Sequence, residues 1–160
     1  MAALADVRAQ PGSRRLPQFN QGLLERELPE RGIAYVHLAE LGGRRRPAAD
    51  TPNRGWRVEA FRGYADHMAS AEFATGLARL EGLASARATA AMCAEALWWR
   101  CHRRLVADAL NVRGWTVHHI APDGASTAHE LTPFAVVGAE GAISYPPAQG
   151  ELPGARGGRA

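Results

Sequence analysis

The chain has 160 residues, 46% of them apolar and 22% charged, a balance that suits one folded domain with a packed core and argues against widespread disorder. All 19 basic residues are arginine and none is lysine, and the formal net charge of +3 is too mild for a protein that coats nucleic acid, so any polyanionic partner has to be argued from local clusters. No run approaches the roughly 18 apolar residues of a spanning helix, and the first thirty residues hold no uninterrupted apolar stretch. The expectation is a cytoplasmic chain without a membrane partner, its two cysteines, Cys93 and Cys101, kept as thiols rather than as a structural disulfide.

Residues 2–8 read as a short buried strand running into a loop with Pro11, Gly12 and Pro17. Asn20 is placed to cap a helix over 21–31, with Leu23, Leu24 and Leu28 as its apolar stripe and Gly32 as its stop. A second strand spans 33–38. Residues 39–57, with Gly42, Gly43, three successive arginines, Pro47 and Pro52, form a connection of a length that is often functional. Helices over 58–69 and 71–84, a third strand over 88–92, a helix over 100–112 ended by Gly114 and a strand over 115–120 follow. Segments 134–137 and 142–145 pair as a C-terminal hairpin, and there is no internal repeat. The alternation predicts a single α/β domain over 1–145, a mainly parallel sheet with helices on both faces in a doubly wound arrangement, and a disordered Pro- and Gly-rich tail over 146–160.

In an open α/β sheet, ligands bind beyond the carboxyl ends of the strands, and Cys93 falls at such an end. From Met92 to Arg104 the chain places Cys93, Glu95, Cys101, His102 and the guanidiniums of Arg100, Arg103 and Arg104 within thirteen residues. A thiol near a helix N-terminus and near arginines has its thiolate stabilised by positive potential, so either cysteine is a candidate nucleophile or redox centre, with the other as resolving thiol. Glu95 and His102 are candidates for moving protons. The competing reading makes Cys93 a small apolar residue closing a strand and Cys101 a packing residue under the helix. No cofactor is called for. The eight-residue separation of the cysteines and the scattered positions of His102, His118, His119 and His129 argue against a metal site.

A second constellation is built on arginine. Arg8, Arg14 and Arg15 follow the first strand, Arg44 begins the triplet after the second, and Arg54, Arg57 and Arg62 interleave with Trp56, Phe61 and Tyr64. If Arg8, Arg14, Arg15, Arg44, Arg100 and Arg103 meet at one sheet edge, they form an anion pocket for a phosphate-bearing small molecule or nucleic acid, with aromatics available for stacking. Two functions remain open: a cysteine-dependent enzyme with Cys93 as the attacking sulfur, and a nucleotide or nucleic-acid binding or processing module in which the cysteines are structural.

These residues carry a resemblance. Asp6-Val7-Arg8, Ser13-Arg14-Arg15 with Phe19-Asn20, Tyr35-Val36-His37-Leu38 with Glu40-Leu41-Gly42-Gly43-Arg44, Phe61-Arg62-Gly63-Tyr64, Met92-Cys93-Ala94-Glu95 with Cys101-His102-Arg103, and Leu131-Thr132-Pro133-Phe134 together resemble the bacterial domain-of-unknown-function family 488, the YeaO-related proteins, from Asp6 to about Tyr145. The resemblance implies no activity. It does imply a preceding strand and helix with a Thr-Ile-Gly-His-Ser-like start, and hence a coding extension upstream; peptide mapping of a native protein that begins at Met1 would refute this. The Asp-Val-Arg strand, the cysteine at a strand end and the later Gly-Trp-x-Val are more loosely similar to rhodanese-like sulfurtransferases, although the loop after Cys93 is longer, lacks the rhodanese glycine and contains Glu95.

Overall fold

Alanine and valine at alternate positions make the first strand thin enough to be packed from both sides. In the computed structural model, which describes residues 2–148, β1 (Ala2–Asp6) lies between β2 (Ile33–His37) and β3 (Thr89–Met92) and runs parallel to both. Asp6 stands opposite His37 on one side and Met92 on the other, so the three carboxyl ends are level. The ladder continues one residue further: Val7 N–H donates to the Met92 carbonyl and Leu38 N–H to the Asp6 carbonyl, each at 2.9 Å.

Parallel neighbours need crossovers. Helix α1 (Gln21–Glu30) connects β1 to β2, while α2 (Glu59–His67) and α3 (Ala71–Ala86) connect β2 to β3. Asn20 precedes α1, but its side-chain oxygen accepts from Ser13 N–H in the preceding loop instead of capping the helix. A true side-chain cap occurs at α3, where Ser70 Oγ accepts from Phe73 N–H. Ala5 and Val7 of the β1 segment, Leu77 and Leu80 of α3, and Leu105 and Val106 of α4 (Arg103–Val112) share one core with Leu38, Leu41, Tyr64 and Tyr145.

The expected mixed α/β class holds, with a parallel sheet of three strands. The segment expected as a further parallel strand does something else: β4 (His118–Ile120) pairs antiparallel with β5 (Ser126–Ala128) in a separate ribbon. The cause is local. Asp123-Gly124 is a hairpin signal that the strand reading passed over; Gly124 takes φ +84°, its N–H donates to the Ala121 carbonyl, and Asp123 Oδ1 accepts from Ala125 N–H. The helix expected from residue 100 also starts later. Residues Trp98–Arg100 form a 3-10 turn, Cys101 is extended, and α4 begins at Arg103. The C-terminal hairpin is present as β6 (Val136–Val137) and β7 (Ile143–Ser144). The tail expected over 146–160 lies outside the described residues from 149 onward.

One buried charge is tied to this frame. Asp6 has no access to solvent; it accepts from Arg8 Nε at 2.8 Å, from Arg8 Nη2 at 2.5 Å and from the Tyr35 hydroxyl at 2.6 Å. Removing one partner of such a pair strands the other charge, so Asp6→Ala is expected to cost about 3 kcal/mol of unfolding free energy. Tyr35→Phe, which deletes a single hydrogen bond, is expected to cost about 1 kcal/mol. Urea denaturation at neutral pH measures both, and equal small losses would refute the assignment of Asp6 as the keystone.

Candidate active site

Where β1 and β3 end side by side, the stretch 93–102 and the segment 42–44 after β2 close around a cavity of about 810 Å³. Arg8, Gly43, Arg44, Cys93, Glu95, Arg100, Cys101 and His102 all line it. Cys93 is the first residue after β3 and half-buried; Cys101, 3% exposed, sits between the 3-10 turn and α4, its N–H held by the Trp98 carbonyl. His102 follows at the start of α4. The two sulfurs and the His102 Nδ1 atom all lie within 4.8 Å of one another.

Each of these atoms is held by a defined partner. Val7 offers His102 Nε2 a carbonyl at 3.0 Å, and a carbonyl only accepts, so Nε2 carries the proton and Nδ1 turns toward the Cys101 sulfur, 3.7 Å away. Arg103 donates through Nε to Cys101 Sγ at 3.4 Å and through Nη2 to the Glu95 carbonyl. The Glu95 carboxylate accepts from Leu97 N–H at 3.1 Å, which steadies the turn leading to Cys101.

The sulfurs differ in character. A hydrogen bond from Cys93, aided by the backbone N–H and guanidinium of Arg103, lowers Cys101 to about 6 against the opposing effect of burial. Cys93, donating that hydrogen bond and itself shielded from water, is pushed up to about 12. Arg103 touches only Cys101, so the negative charge belongs there, with Cys93 as the protonated neighbour. The sequence expectation had Cys93 as the attacking sulfur and Cys101 as the resolving one; the thiolate is the more stabilised at Cys101.

The arginines divide. Arg8, Arg44 and Arg100 reach the cavity, but Arg8 is committed to Asp6. Among the described residues, the Arg44 and Arg100 side chains have no hydrogen-bonding or ionic partner, and Arg44 adopts φ +63°, a left-handed conformation that costs a non-glycine residue energy. Arg14 and Arg15 are exposed on the loop after β1 and do not line the cavity. Arg103 works from the far side, facing a second cavity of about 340 Å³ bordered by Trp98, Trp115 and His119. Of the aromatics expected for stacking, Trp56 and Tyr64 are core residues, while Phe61 lines the cavity.

A second polar cluster escaped the sequence reading. Asp108, fully buried in α4, accepts from His129 Nε2 at 2.8 Å, from Thr132 N–H at 2.9 Å and from the Tyr145 hydroxyl at 2.8 Å. Burial alone would raise its carboxyl, and these hydrogen bonds outweigh it, holding Asp108 below the ordinary carboxylate range. His129 Nδ1 in turn meets His119 Nε2 at 2.8 Å, and the His119 ring stacks flat on Trp98 at 3.7 Å. An aspartate three residues after Leu105, on the apolar face of an amphipathic helix, was the available signal.

The model of one protein family, described as domain of unknown function DUF488, matches residues 1–110. The match takes in Cys93 to His102; the Leu131–Phe134 motif and most partners of Asp108 lie beyond it. No curated protein and no solved structure matches the chain.

The histidine pair makes a pH prediction. Burial, the neighbouring His129 and the guanidinium of Arg103 depress His119 from 6.5 to about 4. The unfolded chain therefore takes up a proton that the folded chain refuses between those values, and stability falls as pH drops through that window. Melting temperature is expected to decline from pH 6.5 toward 4, and His119→Phe, which keeps a ring against Trp98, should flatten the decline. An equal slope in the variant would refute the assignment.

Proposed function

The chain belongs to the DUF488 family, and we propose that it is a cytoplasmic cysteine-dependent enzyme in which Cys101 attacks a negatively charged, sulfur-bearing small molecule held by Arg44 and Arg100. One observation carries the reading. Arg103 places its guanidinium on Cys101 Sγ at 3.4 Å, beside a second thiol and an imidazole nitrogen, in a cavity that also presents two unpaired arginines. Such a sulfur is stabilised as a thiolate on a residue that lines the cavity.

The reaction that suits two adjacent thiols is exchange with a low-molecular-weight disulfide. Cys101 forms a bond to one substrate sulfur while the substrate S–S bond breaks, and the first thiolate departs and takes a proton from water. Cys93 then gives its proton to His102 Nδ1 and attacks the Cys101 sulfur of the mixed disulfide, expelling the second substrate thiolate, which takes that proton. One disulfide is reduced to two thiols, and the protein dithiol is oxidised to Cys93–Cys101; two thiol molecules run the same steps backward to restore it. Arg44 and Arg100 pair with carboxylate or phosphate groups of the substrate.

The alternative, a nucleotide or nucleic-acid module, has less to draw on. Trp56 and Tyr64 are buried in the core, and Arg14 and Arg15 stand away from the cavity, which leaves Phe61 as the one aromatic of the expected stacking set that lines it.

Mass spectrometry of Cys93→Ser protein treated with glutathione disulfide should find the mixed disulfide trapped on Cys101, while the wild type resolves it to the internal disulfide and Cys101→Ser forms neither. Arg100→Ala should slow trapping by about tenfold with this anionic disulfide and leave a neutral disulfide unaffected. Labelling that appears only after unfolding would sink the proposal.

A further inference from the structure

Cys93, Cys101 and His102 come from two different elements, the end of β3 and the start of α4, yet their ligand atoms converge to within 4.8 Å. The spacing in sequence hides this, because no Cys-x-x-Cys pair is present and the grouping is made by the parallel sheet. We propose that Cys93 Sγ, Cys101 Sγ and His102 Nδ1 form a binding site for a thiophilic divalent cation of the zinc class, with a further coordination position facing the arginine-lined cavity. The proposal uses the same side chains as the exchange reaction but does not depend on that reaction.

Two features beyond proximity point to a cation. The imidazole is oriented for one: with Nε2–H committed to the Val7 carbonyl at 3.0 Å, the Nδ1 lone pair is the atom turned toward the sulfurs, an arrangement typical of histidine ligands. An outer layer is also present, because Arg103 Nε–H donates to Cys101 Sγ at 3.4 Å and so orients that ligand and tempers its charge.

The donor set selects the ion. Two thiolates and a neutral imidazole carry two negative charges, which a divalent cation cancels, and soft sulfur disfavours magnesium and calcium. Two sulfurs and one nitrogen are also the protein ligands of one class of catalytic zinc site, in which the fourth position holds water or substrate. Here all three ligand residues line the cavity that also contains Glu95, Arg44 and Arg100, so an anionic group in that cavity lies within reach of the remaining position. Binding releases the sulfur protons to solvent and involves no change of oxidation state.

An occupied site shields both sulfurs, so the loaded protein is expected to resist alkylation and disulfide exchange that the stripped protein undergoes. The test is titration of the reduced, chelator-stripped full chain with Zn²⁺ against a chromophoric competitor, and with Co²⁺ read by its sulfur-to-metal charge-transfer band. One ion per chain, with affinity at least about tenfold weaker in Cys101→Ser and His102→Ala, is the expected result. A measurement on the wild type guards against variants that fail to fold: saturating Zn²⁺ should slow iodoacetamide alkylation of both Cys93 and Cys101, and alkylation at the same rate with and without Zn²⁺ overturns the site. Binding that is absent at micromolar metal, or equally strong in Cys101→Ser and His102→Ala, overturns the site. If stripped protein forms the mixed disulfide but binds no ion, this inference alone fails; if it binds one ion through these residues but forms no mixed disulfide, the inference stands and the exchange reaction fails.

Discussion

A carboxylate with no access to water must be neutralised where it stands, and Asp6 imposes that requirement at the point where β1 ends. Arg8 meets it from two residues away and Tyr35 from the neighbouring strand, so the backbone from Asp6 to Arg8 is held in one course. The consequences reach the cavity. The Val7 carbonyl faces His102, and the Arg8 carbonyl accepts from or faces His37 Nε2 at 2.8 Å. The orientation of the imidazole in the candidate site is thus set by the strand end, and the Val7 side chain is meanwhile fully buried in the core.

Helix α4 is fastened at two depths. Its first residues carry the Cys101–His102 pair and Arg103, whose guanidinium binds a sulfur and a backbone carbonyl at once. In its interior, Asp108 gathers His129, Thr132 and Tyr145 from the C-terminal third of the chain. The two buried carboxylates differ in consequence: Asp6 organises the cavity directly, whereas Asp108 ties later segments to the helix that follows Cys101 and His102. Arg103 lies between them, because it lines the second cavity with His119 while touching Cys101.

The two chemical readings of the cysteine site share one physical origin. Sulfur that is charge-stabilised by a guanidinium and set beside an imidazole lone pair attacks electrophilic sulfur and also binds thiophilic cations. The two readings exclude each other at any moment, because an ion held by the two sulfurs and Nδ1 would occupy the sulfur that attacks. Among the described residues, the guanidiniums of Arg44 and Arg100 are not consumed by neighbouring acids, in contrast to Arg8 with Asp6, Arg45 with Glu72 and Arg113 with Glu81.

Sequence alone determined the elements whose signals are local. The three parallel strands, the helices between them and the terminal hairpin follow from apolar periodicity and from Gly and Pro positions, which act over a few residues. It also determined that thiols, an imidazole, a carboxylate and guanidiniums crowd the stretch after the third strand. Only the tertiary structure decided which of them meet. The register of β1 against β3 set Cys93 beside the start of α4, and the fold sent Arg103 to Cys101, Arg8 to Asp6, and Arg14 and Arg15 away from the cavity. The partition of charge between the two sulfurs, the tautomer of His102 and the Asp108–His129–His119 chain depend on contacts between residues as many as 95 positions apart, and no local pattern encodes such contacts.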